Sequence, residues 1–382
     1  MSTVLTRPVL TGAQVVLLVA LALTVPAQLY LVIPLSPVLA TEFTVDSAAW
    51  AGSAFAIAYA VGFLVFGPLS ERLGRRVVLV AGTAAVAITT VLVAVAPLWT
   101  EFLAARAAQG FAAASFAPVA LAMVAERAEP ARRASVMTAV TGGLLGAGIV
   151  GQTVGALAID AWRWPFWAGA VLYVIATLTL ARVLPADRPE VVPSWRGVLP
   201  TMGRLLTTRS TATVFASAIT VFGGFVALYA VLGPHLAATT EITSSGQVGV
   251  RAVGAISLLV APMLSGVLAR RGPRHPAVVG FLTAAAGMLI ALAGTDQPVI
   301  AVVGSVVVVA GMGLTVPGLV GLLHTLAPGA ITIGLNTAVL FAGAAIGQLV
   351  ATWLGYTTTL IIYAAALAAA ATLITSIRRA TP

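Results

Sequence analysis

The chain contains no cysteine and no lysine, and acidic and basic residues together make up only 8% of its 382 positions. Without cysteine there can be no disulfide framework and no thiolate metal site. Scarcity of charge excludes more. A soluble domain carries roughly 25% charged residues, and a chain this poor in them cannot dress a water-facing surface in polar groups. Also missing are a phosphate-binding Gly-Lys-Ser/Thr loop, paired carboxylates within an apolar stretch, and a histidine–acid cluster at metal-ligand spacing. ATP drive, enzymatic chemistry and a bound cofactor or metal are therefore not expected.

What is present is apolar. Hydrophobic residues fill 60% of the sequence and the mean hydropathy is +1.07, which excludes disorder and points to an all-α integral membrane protein in contact with the lipid bilayer. The net charge is +9 and all twenty basic residues are arginine. They sit in short runs between apolar stretches rather than on one face, the pattern of a polytopic membrane protein and not of a nucleic-acid binder.

A spanning helix needs about 20 mostly apolar residues. No charge falls between Pro8 and Thr41, which places helix 1 at 13–40 as a retained span rather than a cleaved signal. Further helices are expected at 47–70, 77–100, 102–125, 134–159, 164–181, 210–240, 245–269 and 277–295. From Gln297 to Ile377 the only acidic or basic side chain is His324, and that run holds three helices divided near 327–330 and 355–359. Twelve spans result. With the N-terminus inside, seventeen of the twenty arginines lie on the inner side; Arg106 and Arg251 fall within spans and Arg163 outside. Both termini are then cytoplasmic and the protein sits in the cell inner (plasma) membrane. The arginine-rich linker at 185–209 separates a first six-helix half, 1–184, from a second, 210–382.

The halves match each other. Tyr30 to Glu42 overlays Tyr229 to Glu241 at an offset of 199, with Gly67 on Gly266 and Pro118 on Pro317. Near 196, Gly151-Gln152 falls on Gly347-Gln348. Two parallel repeats imply a pseudo-twofold axis along the membrane normal and a site at midplane between them.

Between helices 2 and 3 the chain reads Gly67-Pro-Leu-Ser-Glu71-Arg72-Leu-Gly74-Arg75-Arg76. Gly67 allows close helix approach and Gly74 a tight turn; Glu71 can pair with an arginine or cap a helix N-terminus. The stretch resembles the signature loop of the major facilitator superfamily, with Glu71 where the family usually has Asp, and this resemblance implies a conformational gate. The second copy, Gly266 to Arg274, has no acid. Arg106 followed by Gln109-Gly110 resembles the family's second motif. A charge in hydrocarbon costs about 2.5–3.5 kcal/mol on the insertion scale, so Arg106 either serves a substrate- or proton-linked site together with Gln109 or is a structural group paired with Glu101. Helix 5 carries Gly146, Gly151 and Gly155 at helix-packing spacing and resembles the family's exporter motif, with Gln152 where that motif has Pro. Trp162 to Trp167 suits an outer aromatic belt.

The resemblance, closest to the drug and sugar efflux branch, implies that helices 1, 4, 7 and 10 line a cavity. Its candidates for substrate or proton contact are Gln28, Tyr30, Arg106, Gln109, Phe222, Phe225, Tyr229 and Met312, with Arg251 on helix 8 and Asn336 on helix 11. His235 and His324 are read as structural. No acid lies between Arg7 and Glu42, where many drug–proton exporters hold one, leaving Glu101 and Glu126 as stand-ins. The expected protein is a monomeric secondary transporter exporting a small organic compound by proton antiport. An importer or facilitator of a small metabolite or organic anion is the alternative within transport, and a non-transporting membrane sensor the alternative outside it.

Overall fold

Twenty residues at a rise of 1.5 Å reach across a hydrocarbon core of roughly 30 Å, and inside it only helices satisfy every backbone group. The computed structural model describes residues 9–129, 132–185, 197–239, 249, 264–265, 267–272 and 274–377, and among them every regular element is helical. The elements are α1 (Gly12–Thr24), α2 (Ala27–Glu42), α3 (Trp50–Leu73), α4 (Arg75–Val95), α5 (Trp99–Ala113), α6 (Ala117–Arg127), α7 (Arg133–Leu157), α8 (Trp164–Val183), α9 (Val198–Thr207), α10 (Arg209–Thr239), α11 (His275–Ala293), α12 (Pro298–Leu326) and α13 (Ala330–Ser376). They supply ten stretches long and apolar enough to cross a membrane.

Local chemistry explains the interruptions. Pro26 lacks an N–H and crowds the preceding turn, so the first span breaks into α1 and α2. A second break at 114–116, just before Pro118, parts α5 from α6. The last stretch is broken at Gly355, whose φ of 68° and ψ of −175° suit a residue without a Cβ; this is where the sequence placed a division. Expected helix 8 falls almost wholly outside the described residues. The stretch expected only as a linker holds a helix: α9 buries Val198 and Leu205 and exposes Leu199 and Leu206.

Small residues set how closely the rods lie. A Cβ at Gly151 would come 2.3 Å from the Ala27 carbonyl, and one at Gly155 2.2 Å from that of Leu31, so α7 meets α2 backbone to backbone. Gly343 and Gly347 meet α10 in the same way at the carbonyls of Ile219 and Gly223. The contact of Gly151 with Ala27 recurs 196 residues later as Gly347 with Gly223, so the repeat seen in sequence is also a repeat of packing. Gly280, Gly287, Gly304 and Gly311 bring α11 and α12 together likewise.

One end of the bundle is aromatic. Phe43 packs against Trp99, Phe102 and Trp162 with ring centroids 5.4, 5.1 and 5.9 Å away. The expected belt divides there: Trp162 (5% exposed) turns into this cluster, while Trp164 (47%) faces out, because α8 starts at Trp164, with Arg163 as its N-cap and Pro165 in its first turn, and reorients the chain. Arg163 caps the cluster, its Nη1 2.6 Å from Glu42 and its guanidinium over the Trp162 ring. At the opposite end lie Arg75, Arg76 and Arg274.

Candidate functional site

The interior of the N-terminal helices is crossed by a chain of polar groups that begins at Arg106. Gly110 lets α3 approach α5 so closely that a Cβ there would sit 2.2 Å from the Phe55 carbonyl. This brings Arg106, fully buried, to the Ala51 carbonyl, to which its Nε donates at 3.1 Å, and over the Phe55 ring at 4.6 Å. Its Nη1 donates to Gln109 Oε1 at 2.5 Å. Gln109 Nε2 donates to Thr90 Oγ1 at 2.8 Å and to Gln28 Oε1 at 3.4 Å. Gln28 Nε2 donates to the Tyr173 hydroxyl at 3.2 Å, which in turn donates to the Thr24 carbonyl at 2.7 Å. That carbonyl is available because the kink turns the Gln28 amide to Val25 instead.

Every donor in this chain points away from the cation, so the guanidinium charge is met by oriented dipoles and a π face and not by an anion. Glu101, the structural partner considered for Arg106, is not among the groups that hold it. Arg106 Nη2 is buried and has no hydrogen-bond partner. The carboxylates with ion pairs in the described residues stand at helix ends: Glu42 with Arg163, Glu126 with Arg75 at 2.9 Å, and Glu129 with Arg132.

Tyr30, Phe225 and Tyr229 form a second group, with centroids 5.6 Å apart for Tyr30–Phe225 and 5.2 Å for Phe225–Tyr229. It joins α2 to α10. A longer seam runs where α3 lies antiparallel on α13: Ser53 Oγ donates to the Ala345 carbonyl at 3.2 Å, and Tyr59 and Phe63 pack on Phe341. Phe222 meets Phe341 from α10, and Met312 is buried. Beside the aromatic group a cavity of about 250 Å³ opens between α2, α10 and α13, with Pro34, Pro37, Tyr229, Pro234, Gln348 and Thr352 in its wall. Asn336 stands apart, buried, with neither amide atom bonded. Arg251 lies outside the described residues.

Gly74, between α3 and α4, has φ 91° and ψ 147°, a region open essentially to glycine. Gly74→Ala is expected to cost about 1–3 kcal/mol, read as a lowered melting temperature in detergent. Arg75 reaches both Ser70 Oγ and Glu126, and Arg76 reaches the Ala181 carbonyl; Arg72 is exposed. Two expectations change. Gly67 makes no close approach, since a Cβ there would meet nothing within 4 Å: no neighbouring helix among the described residues lies against this face of α3. Glu71 is part-exposed, and Arg75 and Arg76 bond elsewhere. On α7, Gly146 meets the Leu23 side chain, and Gln152 Nε2 donates to the Gly148 carbonyl at 3.2 Å.

Thr90, Tyr173 and Gln348 were not anticipated as site residues. Gln348 carried a signal, because it is the repeat mate of Gln152; Thr90 and Tyr173 carried none, since long-range contacts alone recruit them.

Comparison with known proteins bears on this arrangement. The family model described as Major Facilitator Superfamily matches residues 17–332. The chain is similar to the "Uncharacterized MFS-type transporter YceJ" of Bacillus subtilis, 28% identical over 337 residues, covering 85% of each chain. It is 26% identical over 259 residues to the "Inner membrane transport protein YnfM" of Escherichia coli, covering 66% of this chain and 62% of that one. A "Multidrug resistance protein B homolog" of Mycobacterium tuberculosis is 31% identical over 143 residues, 37% of this chain and 26% of its own.

Proposed function

Because the chain belongs to the Major Facilitator Superfamily, we propose that it is a twelve-span secondary active exporter of a small organic compound, working by alternating access with proton antiport. That it is a multi-pass membrane transporter and not an enzyme follows from the family. The further count rests on the break at Gly355 and on the apolar run at 245–269, and the division into halves on the packing repeat at 196. Arginine placement puts both termini in the cytoplasm and the aromatic end outside, in the cell membrane. Direction draws support from the drug-resistance name of one relative.

The observation that carries the reading is the seam. The N- and C-terminal helices meet along α3 on α13 and through Tyr30 on Phe225, and the cavity opens beside that contact at the outer end. Rocking about such a seam exposes one site to each side in turn. Arg106 and its chain tie α1 to α5 and α8 into one body; the spare Nη2 donor is the group that a proton-linked rearrangement would engage.

Glu71 is the latch at the inner end. Gly52 lies by Gln348 and Phe63 by Gly334, so the antiparallel register carries Glu71 to the level of the Ala327–Gly329 turn. There α13 starts without a side-chain cap, and a carboxylate near those N–H groups favours the closed inner gate. The absence of cysteine makes the test simple. With spin labels at Leu73→Cys and Thr325→Cys, Glu71→Gln is expected to lengthen the measured distance; an unchanged distribution refutes the latch.

A second reading, an uncoupled facilitator, is favoured by the lack of any carboxylate in the Arg106 chain. Everted vesicles incubated with a mixed small-molecule library separate the two. An exporter coupled to protons accumulates a compound only while the lumen is acid and releases it when a protonophore is added. Equilibration indifferent to the gradient indicates the facilitator, and no uptake of any compound rejects export.

A further inference from the structure

The wall of the cavity at the seam carries no acidic or basic side chain among the described residues. Arg106, the nearest candidate by sequence, is absent from that wall and fully buried in its own chain of partners. Most of the hydroxyls in the wall are already committed: Ser36 to the Val32 carbonyl, Thr352 to the Gln348 carbonyl, and Ser47 to the Ala49 amide. Gln348 differs. Its Oε1 is buried beside Gly52 without a hydrogen-bond partner, and the residue is 6% exposed.

Resting on the transport reading above, we propose that the substrate is a small uncharged molecule with a hydrogen-bonding group, and that Gln348 on α13 is the side chain that selects it. Three physical points converge. A buried amide oxygen without a partner is costly and is relieved by a ligand that donates a hydrogen bond to it. An ion entering this wall would lose its hydration and find no counter-charge, which disfavours cations and anions alike. A volume of about 250 Å³ lies below the roughly 300–1,000 Å³ of sites for drug-sized ligands, so the body of the ligand is compact and packs on Ile33, Pro34, Pro37 and Pro234. An amide both donates and accepts, which suits alcohols and amides equally.

The test uses the purified full chain in detergent and four probes on one ring scaffold: benzamide, benzyl alcohol, benzoate and benzyltrimethylammonium. Benzamide or benzyl alcohol is expected to raise the melting temperature and the charged pair to leave it unchanged. Gln348→Met, close in size and without hydrogen bonds, is expected to raise the half-saturating concentration of the neutral probes roughly tenfold, the loss of about one hydrogen bond. Gln348→Glu is expected to admit benzyltrimethylammonium, a gain that misfolding cannot mimic. A shift by either ion in the unaltered chain, no shift by any probe, or a neutral shift that survives Gln348→Met overturns the proposal. Its failure stays distinct from failure of the transport reading: gradient-driven accumulation of a charged compound in the vesicles would sink the ligand class and leave transport standing.

Discussion

Leucine at Gly151 or at Gly347 is expected to abolish recovery of monodisperse protein. The nearest atoms to a Cβ at these positions are backbone carbonyl oxygens, of Ala27 at 2.3 Å and of Gly223 at 2.1 Å, and no rotamer change can move a carbonyl aside. The helices themselves must part. In a bilayer no hydrophobic force draws them back, because lipid tails are as apolar as the side chains; close van der Waals packing is most of what holds them. Even alanine at either position is expected to destabilise by about 1–3 kcal/mol, the ordinary cost of overpacking. The two sites lie on different helix pairs, so their effects are expected to add within roughly 0.5 kcal/mol. Gly142→Ala and Gly321→Ala serve as controls, since a Cβ at either meets nothing within 4 Å and alanine favours the helix by about 1 kcal/mol. Size-exclusion profiles and melting curves in detergent read both sets. Wild-type recovery of Gly151→Leu would mean that α7 and α2 do not touch as described.

The pairing of these two glycines was partly visible beforehand. Gly151-Gln152 and Gly347-Gln348 match at one offset, and helical periodicity alone turns such a match into a common face. What no offset reveals is the partner across the face, and so Gly223 drew no attention although it stands 196 residues after Ala27. Spans were legible for an equally plain reason: uncharged runs such as Pro8 to Thr41 have few other uses. Breaks inside them were less so. Pro118 was noted as a repeat marker, yet a proline in a membrane helix either kinks it or is absorbed by neighbours, and sequence does not say which. Helix α9 left a readable trace in the seven-residue spacing of Val198 with Leu205 and Leu199 with Leu206, one buried and one exposed stripe, but the prolines and arginines around it suggested a linker. For Arg106 the local partner was predictable, because Gln109 follows by three residues on the same face. Ala51 and Thr90 were not, since a backbone carbonyl and a common hydroxyl carry no signature of their own.

Arg106→Met is expected to abolish gradient-driven accumulation in everted vesicles while leaving the melting temperature close to that of the unaltered chain. At the low end of their ranges the magnitudes cancel. Burying the guanidinium costs about 2.5–3.5 kcal/mol on the insertion scale. Against this stand two bonds from a charged donor, about 1.5–3 kcal/mol each, and the contact over Phe55, up to about 2 kcal/mol where desolvated. The unpartnered Nη2 reduces the gain. Replacing a buried ion pair by apolar side chains of similar volume is often neutral or stabilising, and here the partners left behind are the Ala51 carbonyl and the Gln109 oxygen, not a stranded charge. Methionine removes the cost with the gain, and its loose thioether fills the space left behind. Alanine leaves a cavity where a large, fully buried side chain stood, and is expected to lose about 2–5 kcal/mol. Lysine keeps the charge but cannot reach both the Ala51 carbonyl and Gln109 with a planar fork, and falls between them. The expected order of stability is therefore Met, then Lys, then Ala, whereas transport is lost in Met and Ala and at best residual in Lys. That divergence is the informative result. A group retained only to hold helices together would show the two properties falling in step, and Arg106→Met as unstable as Arg106→Ala would assign the guanidinium to architecture and remove it from the transport cycle.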